Sequence, residues 1–598
     1  MNDARRQALL ESALILLVFF IEGAYPVPDV NEPNYLGKAI HFWNPQWAAG
    51  DFFLESADAH YVFYFTFGWL SLLLSPLALA WTGRLLIWAL LAWAWRRLSW
   101  ALLPRRWYAV LTAALWVAGL NRFHMAGEWV IGGVEAKGFA YVFFLLGLEA
   151  LVVRRWNKAW ILFGASGAFH VIVGGWAVVA AGMVWFGMTL ARRCVRTTPE
   201  DQAPDQHTKS ARRATPLLTS PPAAAAGTSS PAAHPRDVAA EVPGPATSPS
   251  GPALIAPPSL KAMAPALLLG GLLALPGLVP VWMLNWGADP RVVAEANQIY
   301  VFERLYHHLD PLSFPPQFVL RFGLLAVGWV LLCRLTPADG PRRMLRRMTL
   351  AALLLAGTGT ACGLLALLDR ATAAGLLKYY WFRIPDAMLP LAAAFDAASL
   401  VALRRDTGRG FARWFWPAVF VGLAALHVVD LASIRPIPQA PRADKLPQFS
   451  HWRDLCDWIA QSEQIAPGAT FLTPRQTHTF KWYTGRPEVA NWKELPQDAA
   501  AIVEWYRRMK EIYAATRQDG TLKWLNWPDE LPRRKIDRLA AQFGFRYVVS
   551  SQRVRLPYRI VYQNESYVLY ELPRRDRPAP LQYRPCRGIG FVSSNLSL

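Results

Sequence analysis

Charge is scarce in this chain: only 17% of its 598 residues are Asp, Glu, Lys or Arg. Soluble domains carry about 25%, so the deficit confines charge to loops. Five cysteines are too few for a disulfide scaffold. Cys456 and Cys586 share the C-terminal region, where a bridge could persist, but spacing does not set pairing. No CxxC, HExxH, Walker or GxGxxG pattern stands in the context its chemistry needs. What abounds is apolar: 54% of residues are hydrophobic, 28 are Trp, and mean hydropathy is positive. Long apolar blocks describe a multi-pass membrane protein and exclude a soluble enzyme. The net charge of +20 then reads as topology rather than as a nucleic-acid interface, because its basic clusters flank apolar runs.

The sequence predicts a mostly α, polytopic helical bundle of eleven spans with a small C-terminal α/β extracytoplasmic domain. The spans fall near 8–24, 77–95, 107–121, 138–153, 159–173, 174–191, 262–286, 317–335, 348–368, 384–403 and 412–430. The apolar block 61–76 is placed at the outer surface, since counting it as a span would flip every later basic loop. The loops then assigned to the inside hold 21 Lys and Arg, and those assigned outside hold eight. This bias orients the chain N-in and C-out in the plasma membrane. Arg5 and Arg6 before a short apolar run suggest a signal peptide, but Glu22 spoils the cleavage site, so an uncleaved anchor is expected.

The chain divides into four regions. Residues 1–191 form the first half of the membrane domain, including the acidic outer loop 25–60. Residues 192–260 are a Pro-, Ala-, Ser- and Thr-rich cytoplasmic linker, expected to be disordered because it cannot bury enough apolar surface. Residues 261–430 complete the membrane domain. Residues 431–598 form the outer domain, with helices over 448–465, 497–516 and 530–543 and strands at 469–473, 547–551 and around the turn at Gln563-Asn564-Glu565. Its 26 Lys and Arg against 16 Asp and Glu suit lipid phosphates or an acidic glycan, or simply a solvated basic surface.

Three loops could carry chemistry. The first, YPVPDVNEPNYLGKAIHFWNPQWAAGDFFLESADAH, holds Asp29, Glu32, Asp51, Glu55, Asp58 and His60 with Lys38 as its one Lys or Arg. Massed carboxylates beside anionic lipid need a metal, a cation or a polar substrate; otherwise the loop is solvated and Asn31 or Asp29 caps the following helix. The second, NRFHMAGEWVIGGVEAKGFAY, sets Glu135 and Lys137 at the mouth of the bundle, where they pair locally or serve a site. The third, LLKYYWFRIPDAMLP, brings Lys378, Tyr380 and Arg383. Arg suits phosphate oxygens, although an aromatic belt with snorkelling cations reads the same way. His170, assigned inside span five, and His307-His308 are weaker signals.

This layout resembles the GT-C superfamily of polyprenyl-phosphate-dependent membrane glycosyltransferases, and also a group of uncharacterised bacterial membrane proteins. NEPNYLGKA is similar to that family's outer-loop motif Asp-Glu-x-x-Tyr followed by Ala, with Glu32, Tyr35 and Ala39 in place. Glu135-Ala136-Lys137 looks like an outer Glu-Ala-Arg motif, and Arg383-Ile384-Pro385 like a late outer Arg near prolines. Asn31 departs from the pattern, because it stands where the family has its leading acid. The resemblance implies sugar transfer from a lipid-linked donor to an acceptor on the outer face. Asp29 or Glu32 would deprotonate the acceptor or hold a divalent cation. Glu135 would orient the acceptor or share the ion, Arg383 helped by Lys378 would neutralise charge developing on the leaving phosphate, and Lys137, Tyr380 and His60 would bind substrate. No nucleic-acid partner is expected, and nothing sets an oligomeric state. The competing readings are a transporter, weakened by the want of matching broken helices, and a non-catalytic scaffold or glycan-binding protein, favoured by Asn31.

Overall fold

The computed structural model describes residues 3–196, 256–434, 439–517 and 519–573. The chain divides into two units, one of residues 1–184 with 259–598 and one of residues 185–258. The linker expected at 192–260 and Cys586 lie largely or wholly outside the described residues, while Cys456 is a free, fully buried thiol.

The structure is mostly helical. Among the described residues, seven helices are long and apolar enough to cross a membrane: Pro76–Leu102, Val171–Arg193, Leu260–Met283, Pro316–Leu335, Gly340–Leu365, Arg383–Thr407 and Arg413–Ser433. Helices also occupy the other expected segments, at Asp3–Gly23, Tyr108–Arg122, Ala136–Val152 and Trp156–Phe169. The last three have 15, 17 and 14 residues, short of the roughly 20 that cover about 30 Å of hydrocarbon. The block 61–76 is broken into a helix Tyr61–Thr66 and a 3-10 turn Gly68–Leu72, neither long enough to cross.

Local sequence sets the helix ends. Asp339 accepts the Arg342 N–H at 2.9 Å, and Asp369 accepts those of Ala371 and Thr372 at 3.0 and 3.1 Å, so each caps the helix it precedes. His170 does not lie within a span: the helices Trp156–Phe169 and Val171–Arg196 meet there, and its backbone is extended. Leu268, Leu320 and Leu426 on the long helices are exposed, as lipid-facing leucines would be. Two charges inside the bundle are paired: Arg346 contacts Asp396 at 2.7 Å, and Glu11 accepts from Arg96 and Trp100 at 2.9 and 2.8 Å. A Cβ on Gly164 would lie 2.1 Å from the Gly270 carbonyl oxygen, so Trp156–Phe169 and Leu260–Met283 pack backbone to backbone through small residues.

The C-terminal region carries a four-stranded sheet in the order β1-β4-β6-β5, with β1 Phe471–Leu472, β4 Tyr547–Ser551, β5 Arg559–Gln563 and β6 Tyr567–Glu571. β1 runs parallel to β4; the other pairs are antiparallel. Alternation along the strands feeds two cores. Tyr547, Val549, Tyr567 and Leu569 pack with Trp452 and Leu455 of the helix Phe449–Gln461. Val548, Val568 and Tyr570 face the opposite way, toward Ile502 and Trp505 of Ala499–Tyr513 and Ile536 and Leu539 of Arg533–Phe543. The helix expected over 497–516 stops at Tyr513, because Ala514–Thr516 (β2) pairs with Leu522–Trp524 (β3) across a tight turn at Gly520. Phe52, Ala296 and Ile299 join the second core, which seats the region on the first loop and on the segment 290–304.

Candidate functional site

The loop 123–135 is pinned at both ends by carboxylates. Asp386, buried in the helix Arg383–Thr407, accepts the N–H groups of Met125, Ala126 and Glu128 at 2.7, 2.9 and 3.3 Å. At the other end Asp29 accepts the Gly133 N–H at 2.8 Å and Glu32 that of Val134 at 2.9 Å. A Cβ at position 133 would stand 2.7 Å from the Asp29 Cβ and 2.8 Å from the Glu32 Cγ, so only glycine lets the backbone approach this closely.

Asp29 and Glu32, the two acids expected to act on an acceptor, are therefore braces. Glu32 is fully buried and takes a two-pronged ion pair from Arg84, with Nε and Nη2 each at 2.7 Å. Asp29 is held the same way by Arg442, at 2.7 and 2.6 Å. Burial alone would raise the Asp29 carboxyl, but Arg442 keeps it below the ordinary carboxylate value. Neither residue lines a cavity with the others. Nor does Asn31 or Asp29 cap the following helix through its side chain, as a merely solvated loop would have it. Asn31 sits at the N-cap position without a side-chain capping bond and instead donates to Glu135 Oε1 at 3.0 Å.

A cavity of about 200 Å³ opens beside these braces. It is built from distant parts of the chain: the helix Glu32–Trp43 and the residues to Tyr64, the loop 126–137, the π-helical turn Ile299–Arg304, the stretch around Tyr380, and residues 493–497. Three carboxylates line it, Asp58, Glu128 and Glu135, against five cations, Lys38, Lys137, Arg304, Arg383 and Lys493. Each carboxylate is ion-paired. Asp58 lies 3.7 Å from Lys38 and accepts from the Tyr64 hydroxyl at 2.5 Å. Glu128 meets Arg383 at 3.0 Å and Lys137 at 3.5 Å, and Glu135 also meets Lys137 at 3.5 Å. Burial would raise Asp58, yet Lys38, His60 and Tyr64 hold it low; burial lowers both Lys38 and His60. Arg304 and Lys493 have no carboxylate partner among the described residues. Arg304 donates instead to the carbonyls of Trp492 and Lys493 at 2.8 and 3.4 Å. The cavity thus carries more positive than negative charge, which suits an anionic group. Tyr35, Tyr300, Tyr380 and Trp129 add aromatic walls with polar edges, a surface that fits a ring with apolar faces and hydroxyl rims.

Of the residues singled out from sequence, Glu135, Lys137, Tyr380, Arg383 and His60 meet in this cavity. Lys378 stands outside its lining, donating to Asn297 at 3.3 Å and lying over the Tyr379 ring. Arg383 also contacts His170 Nε2 at 2.9 Å and stacks 4.3 Å from the Tyr380 ring. Tyr380 holds a left-handed backbone, φ +54°, an arrangement non-glycine residues keep where surrounding structure enforces it. Sequence reasoning missed Glu128 and Asp386, although an acid within an apolar helix three residues after Arg383 is a functional signal in a membrane segment. Nothing local distinguishes Arg304 or Lys493.

Among the described residues no three His, Cys, Asp or Glu side chains converge on a metal position. The cavity carboxylates are each bound to a Lys or Arg, so they do not fit the divalent cation implied by the GT-C resemblance. Residues 450–512 match a family described as a domain of unknown function (DUF6798). That segment includes the cavity residues Lys493, Leu495, Pro496 and Gln497. The chain matches no curated protein.

Proposed function

We propose that this protein is a GT-C-like membrane glycosyltransferase, an eleven-span N-in/C-out protein of the plasma membrane. It moves a sugar from a polyprenyl-phosphate carrier to an acceptor on the outer face. One observation carries the reading: a polar cavity with surplus positive charge and aromatic walls lies where apolar helices meet the C-terminal region. A lipid-linked donor needs this combination, since its prenyl chain stays in the membrane while its phosphate and sugar leave it.

In the reaction the acceptor hydroxyl oxygen attacks the anomeric carbon. The bond from that carbon to the phosphate oxygen breaks, its electron pair stays on the polyprenyl phosphate, and the hydroxyl proton passes to a base. The leaving phosphate is already a stable anion, so no strong general acid is needed. Arg383 and Arg304 stabilise the charge that develops on it. Glu135, fixed by Asn31 and Lys137, orients the acceptor hydroxyl. The deciding measurement follows labelled polyprenyl-phosphate hexose or pentose with the purified protein. Turnover that disappears in Arg383→Ala supports the reading, and neither binding nor turnover of any such donor by the wild type overturns it.

A second reading, a non-catalytic glycan-binding membrane protein, draws on the complete neutralisation of Asp29 and Glu32 by Arg442 and Arg84. Tight donor or glycan binding without turnover would select it.

A further inference from the structure

Every carboxylate lining the cavity is tied to a cation, so none is free to take a proton. Among the described residues, Lys493 is the cavity lysine whose side chain makes no ion pair or hydrogen bond. Its backbone, by contrast, is fixed from two sides: its N–H donates to Asn491 Oδ1 at 3.0 Å, and its carbonyl accepts from Arg304 at 3.4 Å. The neighbouring Glu494 turns into the protein interior to pair with Lys481, so it does not pair with Lys493. The held backbone thus sets on the cavity wall a lysine whose amine has no bonded partner among the described residues.

Resting on the glycosyl-transfer reading, we propose that Lys493 is the general base of this site, its neutral amine taking the proton of the attacking hydroxyl as the anomeric carbon–phosphate bond breaks. The environment supports this. Burial, then the charge of Arg304, pushes the Lys493 ammonium down to about 7; Lys445 and Lys137 act in the same direction and Glu135 opposes them. His307, His308 and His478 also feel its charge. His308 and His478 are held well below the ordinary histidine value, chiefly by burial, and His307 is lowered to about 4, which makes them weaker bases near neutrality. A base is most effective when its pKa lies near the working pH.

The test measures release of polyprenyl phosphate from labelled polyprenyl-phosphate hexose by the full-length protein, with water or a membrane glycan extract as acceptor. Lys493→Arg makes the positive charge permanent and cannot act as a base, and it should cut kcat by ~10²–10³ while donor binding persists. Lys493→Ala should fall as far and recover with added small primary amines, more strongly the more basic the amine. Wild-type kcat/KM should drop below about pH 7. If Lys493→Arg turns over within a few-fold of wild type, the residue supplies only charge and the inference fails. If the variants do not fold, a flat wild-type profile across pH 6–8 overturns it on its own. Turnover by the wild type with either of these results sinks Lys493 as the base and leaves the transferase reading standing; a wild type that neither binds nor turns over any donor sinks that reading itself.

Discussion

Arg84 and Glu32, 52 residues apart in sequence, form a two-pronged ion pair with both side chains fully buried. The same carboxylate holds the loop that carries Glu128 and Glu135, through the Val134 N–H. Removing one member of such a pair strands the other charge, at a cost of about 3–5 kcal/mol. Arg84→Met should therefore lower the thermal midpoint in detergent sharply, and the double variant Arg84→Met/Glu32→Gln should regain much of the loss. A single variant as stable as wild type would show that the pair does not brace the loop.

The helices were legible because their apolar runs are long. The strands Arg559–Gln563 and Tyr567–Glu571 were legible because they flank a turn, and Tyr547–Ser551 because it is a short run with two Val. The cavity was only half legible. Glu135, Lys137 and Arg383 stand out as charges beside apolar runs, whereas the roles of Asp29 and Glu32 were hidden. Their partners Arg442 and Arg84 lie 413 and 52 residues away, and no local pattern reports such a pairing. Arg304 and Lys493 sit in polar surroundings where one more cation is unremarked. Their meaning appears only when tertiary packing sets them on the cavity wall without an ion-paired carboxylate among the described residues.

A pH dependence of stability arises from a second buried cluster. Lys481 lies 3.1 Å from Asp51 and 3.2 Å from Glu488 and also pairs with Glu494, so one ammonium faces three carboxylates. Burial raises the Glu494 carboxyl to about 8; Lys481 opposes the rise, and Glu488 and Asp51 add to it. The unfolded value is about 4.3. A raised carboxyl stabilises the fold fully below that unfolded value, and its contribution is lost as pH climbs through about 8. Glu494→Gln should therefore flatten the decline in thermal midpoint between pH 5 and 9, with the largest gain over wild type at the alkaline end. Parallel curves for the two proteins would show that Glu494 does not hold a proton in the folded state.

Orientation can be read by labelling. Single cysteines at Leu522 and Val554, both exposed in the C-terminal region, should react with a membrane-impermeant maleimide in intact cells. Cysteines at the exposed positions Arg106 and Arg409 should react only after permeabilisation. The inverted pattern would place the cavity on the inner face and end the proposal of transfer on the outer one.

Arg383 decides between a transferase and a binding protein. Its guanidinium is positioned by Glu128 at 3.0 Å, His170 at 2.9 Å and the Tyr380 ring. Asp386, one helical turn on, holds the backbone on which Glu128 rides. If Arg383 acts on the charge that develops at the leaving phosphate, Arg383→Ala should lower kcat by ~10²–10³. Lys at this position should recover part of that loss, because it restores the charge without the planar fork. Asp386→Ala should act differently, loosening the loop 125–128 and lowering folded yield and activity together, since three N–H groups lose their acceptor. Glu32→Gln should also act through stability, in keeping with its place outside the cavity lining. Glu135→Gln should reduce turnover at a smaller stability cost than Arg84→Met, because Gln keeps an acceptor for Asn31 and Trp129 and Lys137 keeps Glu128 as a partner. Wild-type turnover after Glu128, Glu135 and Arg383 are neutralised together would show that the cavity is not where transfer occurs.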